Sequence, residues 1–378
     1  MKISKVSVLE FSRELDGTAW NPAFRWRERR APLVLVELDD GVVGIGEGWS
    51  KYTDCESVLT MLADKVGPAL IGKTFGSASE AYAYLCTSFS ALEPAWARAA
   101  AISAVDIALW DAAAKGEGIP LWKMLGGTDA SAPVYASGGL YRDGQDSDAL
   151  KSEFQRYVDS GFISFKMKIA GIPLAADMER VGAVRTAIGD EARLWIDGVN
   201  QLTSDSAGQW FAALDRFNPE AIQSPVAFDD VVLMQRINRE FLPVIAAEAE
   251  YRHDAFLRLV DAKAISHMQY CLPLCGGVTG ALALDEMAAR AGVSSTPQCF
   301  STSVAQAATL HFAAARANVV SAEYHCFHDH LAFLYQDGAG TVSEGTACAG
   351  RGPGLGVMLP EIGTQPDGSK VSIVRELR

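Results

Sequence analysis

The sequence predicts an α/β chain in which an α+β module precedes a TIM-like βα barrel. Three observations predict it. The chain has 378 residues, enough for one barrel with an extra module. The patterning changes near Ala132, where short apolar strands begin to alternate with helical stretches. Polar or reactive residues then close successive strands: Lys168, Asp197, Gln223, Glu248, Cys271, Gln298 and Glu323. They are spaced 29, 26, 25, 23, 27 and 25 residues apart. One strand plus one helix at about that period is a βα array, and eight such strands close a barrel.

The first module comes first in the chain. Residues 2–10 and 33–38 are strand-like. Asp40-Gly41 turns the second of these into VVGIGE, because Gly tolerates positive φ. A helix is expected over 98–115, with Ile102, Val105 and Leu109 on one apolar stripe. Gly116 and Gly118 stop it. Barrel strands are expected near 132–137, 162–169, 193–198, 220–225, 243–248, 264–271, 294–299 and 320–324. The tail from Gly338 contains RGPGLGVMLP. Its glycines do not lie between a strand and a helix, so it carries no nucleotide fingerprint.

Composition excludes several function classes. Apolar residues make up 49% and charged residues 21%, an ordinary globular balance. Lys plus Arg is 33 and Asp plus Glu is 46, a net charge of −13. That argues against a nucleic acid or an anionic membrane as partner. A small anionic substrate in a local basic pocket remains compatible. Seven cysteines without a CxxC read as reduced thiols. No signal peptide and no run of about 18 apolar residues is evident, so the expected compartment is the cytoplasm.

In barrels of this kind the C-terminal strand ends build the active site. Lys166 and Lys168 are two apart on one strand, so both ammonium groups face the same side. Neighbouring like charges make a lysine a competent base; a solvated strand end is the plainer alternative. Asp197 and Glu248 end apolar strands and suit Mg²⁺, a hard cation that takes oxygen ligands. Gln223, between them, offers an amide oxygen but no charge. Cys271 and Gln298 close the next two strands. Gln cannot transfer protons, and a Cys is more often a small buried apolar residue than a nucleophile. After Glu323 come His325, His328 and His330. Their spacing fits no common zinc pattern, and proton transfer by one of them is the better reading.

These residues sit in segments that resemble the enolase superfamily, specifically the mandelate racemase and muconate lactonizing enzyme group. The segments are AISAVDIALWDAAAKGEGIPLWKMLGG at 101–127, FKMK, WID, PVIAAE, CGGVTGALALDEMAARAGV at 275–293, and RGPGLGV. FRWRERRAPLVLVELDDG at 24–41 also resembles galactarolactone cycloisomerases. The resemblance implies a cap over 1–128, a (β/α)7β barrel over 129–337, and a segment at 338–378 that returns to the cap. It implies abstraction of a proton α to a carboxylate, giving an enediolate stabilised by Mg²⁺. Lys168 falls on the family's base, and Lys166 on the lysine that helps neutralise the substrate carboxylate. Asp197, Gln223 and Glu248 fall on the metal ligands. Glu323 falls on an acid that hydrogen-bonds substrate. A homo-oligomer is also implied.

Three departures stand out. Gln223 replaces a Glu, which puts Mg²⁺ binding in doubt. Cys271 and Gln298 stand where the family has an Asp-His dyad. Val199 replaces an Asn. One base therefore remains, which disfavours two-base racemization and leaves β-elimination of water or lactone opening. His328 is the expected acid. Trp20, Phe24 and Trp26 would close the site, and Arg25 or Arg27 would pair with a distal carboxylate. The expected function is an enolase-type lyase or isomerase acting on a sugar acid or its lactone. The alternative is a non-catalytic or metal-free descendant that binds a small carboxylate.

Overall fold

The alternation after residue 130 closes into a ring. The computed structural model describes residues 1–51 and 54–378. Eight barrel strands run at Ser131–Ser137, Ser164–Lys168, Arg193–Asp197, Ala221–Gln223, Val244–Ala246, His267–Met268, Ser294–Ser295 and Ala322–His325. The first seven pair in sequence, all parallel. The eighth pairs in parallel with the first. Between the seventh and eighth, a parallel bridge at Ser295–Val319 and a bond from the Glu323 N–H to the Pro297 carbonyl (3.0 Å) close the circle. Every expected barrel strand is present, most of them shorter than the apolar runs that announced them. Parallel strands need crossovers, and a helix fills each of the seven.

The first module is built on a five-stranded antiparallel sheet. Ile3–Glu14 pairs with Glu28–Leu38, which turns at Gly41 (φ +85°) into Val43–Glu47. Both long strands outrun the expected apolar cores. Their ladder continues through the polar pairs Arg13–Arg29 and Glu14–Glu28. On the other edge, Lys370–Leu377 pairs antiparallel with Ile3–Glu14, so the tail finishes this sheet.

The helix Ala95–Gly116 is buried on more than the expected stripe. One side lies on the Val43–Glu47 strand and another on the barrel helix Gly277–Arg290. The approach to the strand needs glycine. A Cβ on Gly44 would lie 1.9 Å from the Ala108 carbonyl oxygen, and one on Gly46 2.0 Å from that of Ala104. Two acids of this helix join three parts of the chain. Asp106 accepts from the Thr279 N–H (3.0 Å) and hydroxyl (2.5 Å) at the start of the barrel helix. Asp111 accepts from the Ile45 N–H (2.8 Å) in the hairpin and the Leu355 N–H (2.7 Å) in RGPGLGV.

A small ribbon extends over the barrel mouth. Ala19–Asn21 pairs with Phe24–Arg25 on one side and with Tyr141–Arg142, after the first barrel strand, on the other. Among the described residues no helix is long and apolar enough to cross a membrane.

The last barrel helix, Ser303–Ala315, carries a titratable link to the cap side. His311 is fully buried, and its Nδ1 accepts the Trp122 N–H at 3.0 Å. Burial pushes it down to about 4. The unfolded chain takes up this proton near pH 6.5 and the folded chain only near 4. Its contribution is therefore complete above about pH 6.5 and declines as pH falls through that window, by about 3 kcal/mol in all. Urea unfolding between pH 7 and 4 should show that decline. The variant His311→Gln, which keeps an acceptor for Trp122 but cannot titrate, should show a shallower one; an identical slope would rule His311 out as its source.

Candidate active site

Strand register gathers the site. Parallel pairing sets Lys168 beside Asp197, and Asp197 beside Gln223. Both lysines of the second strand point inward, as their two-residue spacing requires. Lys168 donates to Asp197 Oδ2. Lys166, completely buried, donates to Gln223 Oε1 and to Glu323 Oε1, each at 2.7 Å, and lies 3.5 Å from Asp197 Oδ2. The Gln223 amide continues the chain, its Nε2 donating to Glu248 Oε2 at 2.5 Å. Gln269 Nε2 donates to Gln223 Oε1 (3.2 Å) and to the Tyr135 hydroxyl (3.1 Å). Two ammonium groups and three carboxylates thus share one buried floor.

That floor shifts its own charges. Burial alone would lower Lys168, but Asp197, Glu248 and Glu323 outweigh it and hold the ammonium above its ordinary range. Burial first, then the neighbouring Asp197, pushes Glu248 up to about 7. His325 goes well down through burial, with Lys168, Lys166 and Arg29 adding to the shift.

Above the floor is a cavity of about 310 Å³. Lys168, Glu248, Gln298, Glu323 and His325 give it a polar base, and Trp26, Trp49, Phe228, Met234 and Phe300 give it apolar walls. Asn21, Ala23 and Lys51 reach it from the cap side, and Asn200 and Ser224 from the barrel loops. Gln298 Oε1 and Trp49 Nε1 are buried and have no hydrogen-bond partner among the described residues.

Several expected positions are corrected. His328 does not line the cavity. It packs among the rings of Trp26 (5.8 Å), Phe300 (5.8 Å) and His325 (4.5 Å), and neither ring nitrogen has a hydrogen-bond partner among the described residues. Burial pushes its imidazole well below the ordinary range, which weighs against the acid role expected of it. The chain turns after the eighth strand, with the His328 N–H on the His325 carbonyl (3.1 Å), and it is His325 that faces the cavity. Arg25 is outside as well. It forms a two-pronged pair with Asp143 (2.5 and 3.0 Å) and bonds the Gly17 carbonyl. Trp20 stacks on Tyr141 at 4.6 Å, and Phe24 packs edge-on to Trp26 at 5.5 Å. Cys271, expected at the substrate, is paired beside Gln298 but is buried and is not among the residues lining the cavity, and burial pushes its thiol far up. All seven cysteines are free.

Sequence reading missed Asn200 and Gln269, and of its three candidate histidines it favoured His328 over His325. Asn200 stands one place beyond the Asn position that Val199 fills. His325 lies two residues after Glu323 and Gln269 two before Cys271, so strand alternation carried the signal for both.

A closed (β/α)7β barrel with acids, an amide and lysines converging at its C-terminal strand ends, under a partial cap, is the architecture of a TIM-barrel enzyme. Comparison with known proteins narrows the class. A family model described as "Enolase C-terminal domain-like" matches residues 149–362. A second, "Mandelate racemase / muconate lactonizing enzyme, N-terminal domain", matches residues 23–126. An arabinonate dehydratase of Saccharolobus solfataricus is 27% identical over 285 residues, 74% of this chain and 75% of the relative. A D-galactarolactone cycloisomerase of Agrobacterium fabrum is 29% identical over 319 residues, 83% of each chain. The crystal structure of a racemase from Streptomyces coelicolor with bound magnesium superposes with a TM-score of 0.85 at 26% identity, covering 94% of this chain and 97% of that one. The chain belongs to the enolase superfamily, in its mandelate racemase and muconate lactonizing enzyme group. It is an enzyme of the lyase or isomerase kind.

The two histidines give a direct test of this geometry. His325→Asn should lower kcat/KM for a turned-over acid by about 10- to 100-fold. His328→Asn should leave kcat/KM within about twofold and lower the melting temperature instead. A large kinetic loss in the second variant would return His328 to the chemistry.

Proposed function

We propose that the chain transfers a proton at the carbon α to the carboxylate of a small acid, a sugar acid or its lactone, through the single side chain of Lys168. The observation that carries this is the lysine pair: two ammonium groups sharing one buried floor under the cavity. Lys166 is braced from three sides and supplies fixed positive charge. Lys168 is the one that reaches the cavity.

The chemistry follows from the partners. Charge that develops on the substrate carboxylate as the α-proton leaves is stabilised by the two preorganised ammonium groups. In the resting site Lys168 is protonated, so it meets an unsaturated acid as a proton donor to the α-carbon. To take an α-proton it must first be neutral, and its hydrogen bond to Asp197 Oδ2 fixes where the nitrogen points. Cys271 and Gln298 provide no second base on the other face, so the proton leaves and returns on one side. The unpartnered Gln298 Oε1 and Trp49 Nε1 suit the hydroxyls of a polyhydroxy acid.

Magnesium accompanies at least one relative. In this chain the Gln223 amide gives its oxygen to Lys166 and its –NH₂ to Glu248, so the middle position of Asp197, Gln223 and Glu248 does not offer the oxygen donor a hard cation needs, and no step here uses one.

The experiment is α-proton exchange in D₂O, followed by NMR over a panel of aldonates, aldarates and their lactones. The wild type should exchange at least one of them. Lys168→Gln should lose at least about 100-fold in rate, and Lys166→Met should lose binding as well. Exchange that persists in Lys168→Gln would overturn the assignment. Binding of an acid with no exchange across the panel would favour a carboxylate-binding descendant, the reading that the two non-transferring residues support.

A further inference from the structure

We infer that the acid-binding site of this chain operates without a divalent cation, and that the Gln223 amide is what excludes one. This rests on the function proposed above only for the ligand class, a small carboxylate.

Asp197, Gln223 and Glu248 converge as a ligand set would, but their donor atoms do not. A dication of this hardness needs oxygen lone pairs. The middle position instead aims its Nε2 hydrogens at Glu248 Oε2, 2.5 Å away. The amide oxygen is turned from the carboxylates and accepts from Lys166 Nζ (2.7 Å) and Gln269 Nε2 (3.2 Å). Rotating the amide by half a turn does not repair this. It would set the –NH₂ group against the Lys166 ammonium, which has three donors and no acceptor.

Asp197 and Glu323 carry hydrogen bonds of their own. Asp197 Oδ1 accepts the Val199 N–H at 3.0 Å, and Oδ2 accepts from Lys168. Glu323 binds Lys166 and the Cys299 N–H (3.2 Å). Among the described residues no three His, Cys, Asp or Glu side chains form a group that could hold a metal ion. Two ammonium groups already stand among these carboxylates. A dication would have to break the Lys168–Asp197 pair and then sit beside two ammonium groups, a repulsion that weakens only with screening. The positive charge that meets a substrate carboxylate is therefore that of Lys166 and Lys168.

The test uses Mn²⁺ as the cation probe, read from its free-ion EPR signal, and galactarate as the acid probe, read by calorimetry in EDTA. Wild-type protein should leave the Mn²⁺ signal unchanged up to about 1 mM and bind galactarate equally with and without EDTA. Gln223→Glu should bind Mn²⁺ at least about 100-fold more tightly than the wild type. Gln223→Asp serves if that variant does not fold. Wild-type Mn²⁺ binding below about 0.1 mM overturns the inference. Folded acidic variants that still ignore Mn²⁺ overturn the role given to Gln223. Exchange that EDTA abolishes and Mg²⁺ restores overturns the cation-free site but leaves Lys168 as proton carrier. EDTA-insensitive galactarate binding without exchange supports the cation-free site and fails the proposed reaction instead.

Discussion

The buried ammonium of Lys166 is the constraint on which the rest of the site depends. It has no solvent access and sits inside the strand ring. An uncompensated charge there would cost several kcal/mol. Its compensation comes from opposite sides of the barrel, the fourth strand through Gln223 Oε1 and the eighth through Glu323 Oε1. Each of those contacts fixes the next. A Gln223 oxygen given to Lys166 leaves its –NH₂ for Glu248, and a Glu323 carboxylate given to Lys166 is held at the cavity base. The orientation of three strand-end side chains, Gln223, Glu248 and Glu323, thus follows from one cation that can only donate.

The cap side contributes through shape more than through charge. Trp26 and Trp49 form walls, and the ribbon that carries Asn21 and Ala23 is held to the barrel by its pairing with Tyr141–Arg142. Arg25 belongs to that attachment, since its partner Asp143 follows the same barrel strand. Arg29 plays a similar part more deeply. It is buried under the face of Phe300, 4.8 Å from the ring centre, and bonds Ser50 and Ser301. Two arginines that could have been substrate ligands are instead the fasteners of an apolar roof. Such a roof keeps water from the floor, where the charges act more strongly for being dry.

The barrel was legible because its strands are apolar runs at a regular period, and that signal survives errors of a few residues at each end. The floor was legible for the same reason, since a residue that closes a parallel strand must face the mouth. Legibility ended where the chain leaves regular structure. Only the turn after the eighth strand decides that His325 enters the cavity and His328 is packed behind it. Arg25 and Asp143 are 118 residues apart, and no local pattern announces their pairing. Gln269 sat within a strand assigned in full, but attention to strand ends passed over the layer beneath them.

The loops after the third and fourth strands bear on whether this floor is still a working site. Val199, Asn200 and Ser224 all adopt positive φ, at 47°, 59° and 41°. None is glycine, and Val199 is β-branched, for which this region is a genuine outlier. Conformations of this kind cost on the order of 1–3 kcal/mol each and persist only where the surroundings over-determine them. The surroundings here are the site itself. Asp197 Oδ1 holds the Val199 N–H, and the Ser224 carbonyl holds the Asn200 N–H at 2.7 Å. The result is that Val199, Asn200 and Ser224 all border the cavity. A barrel needs none of this for its stability, because the strain lies at the C-terminal face and the core lies below it. The strain is intelligible as the cost of aiming loops at a ligand. It sets the changed residues of this floor in a site that is still being held in shape.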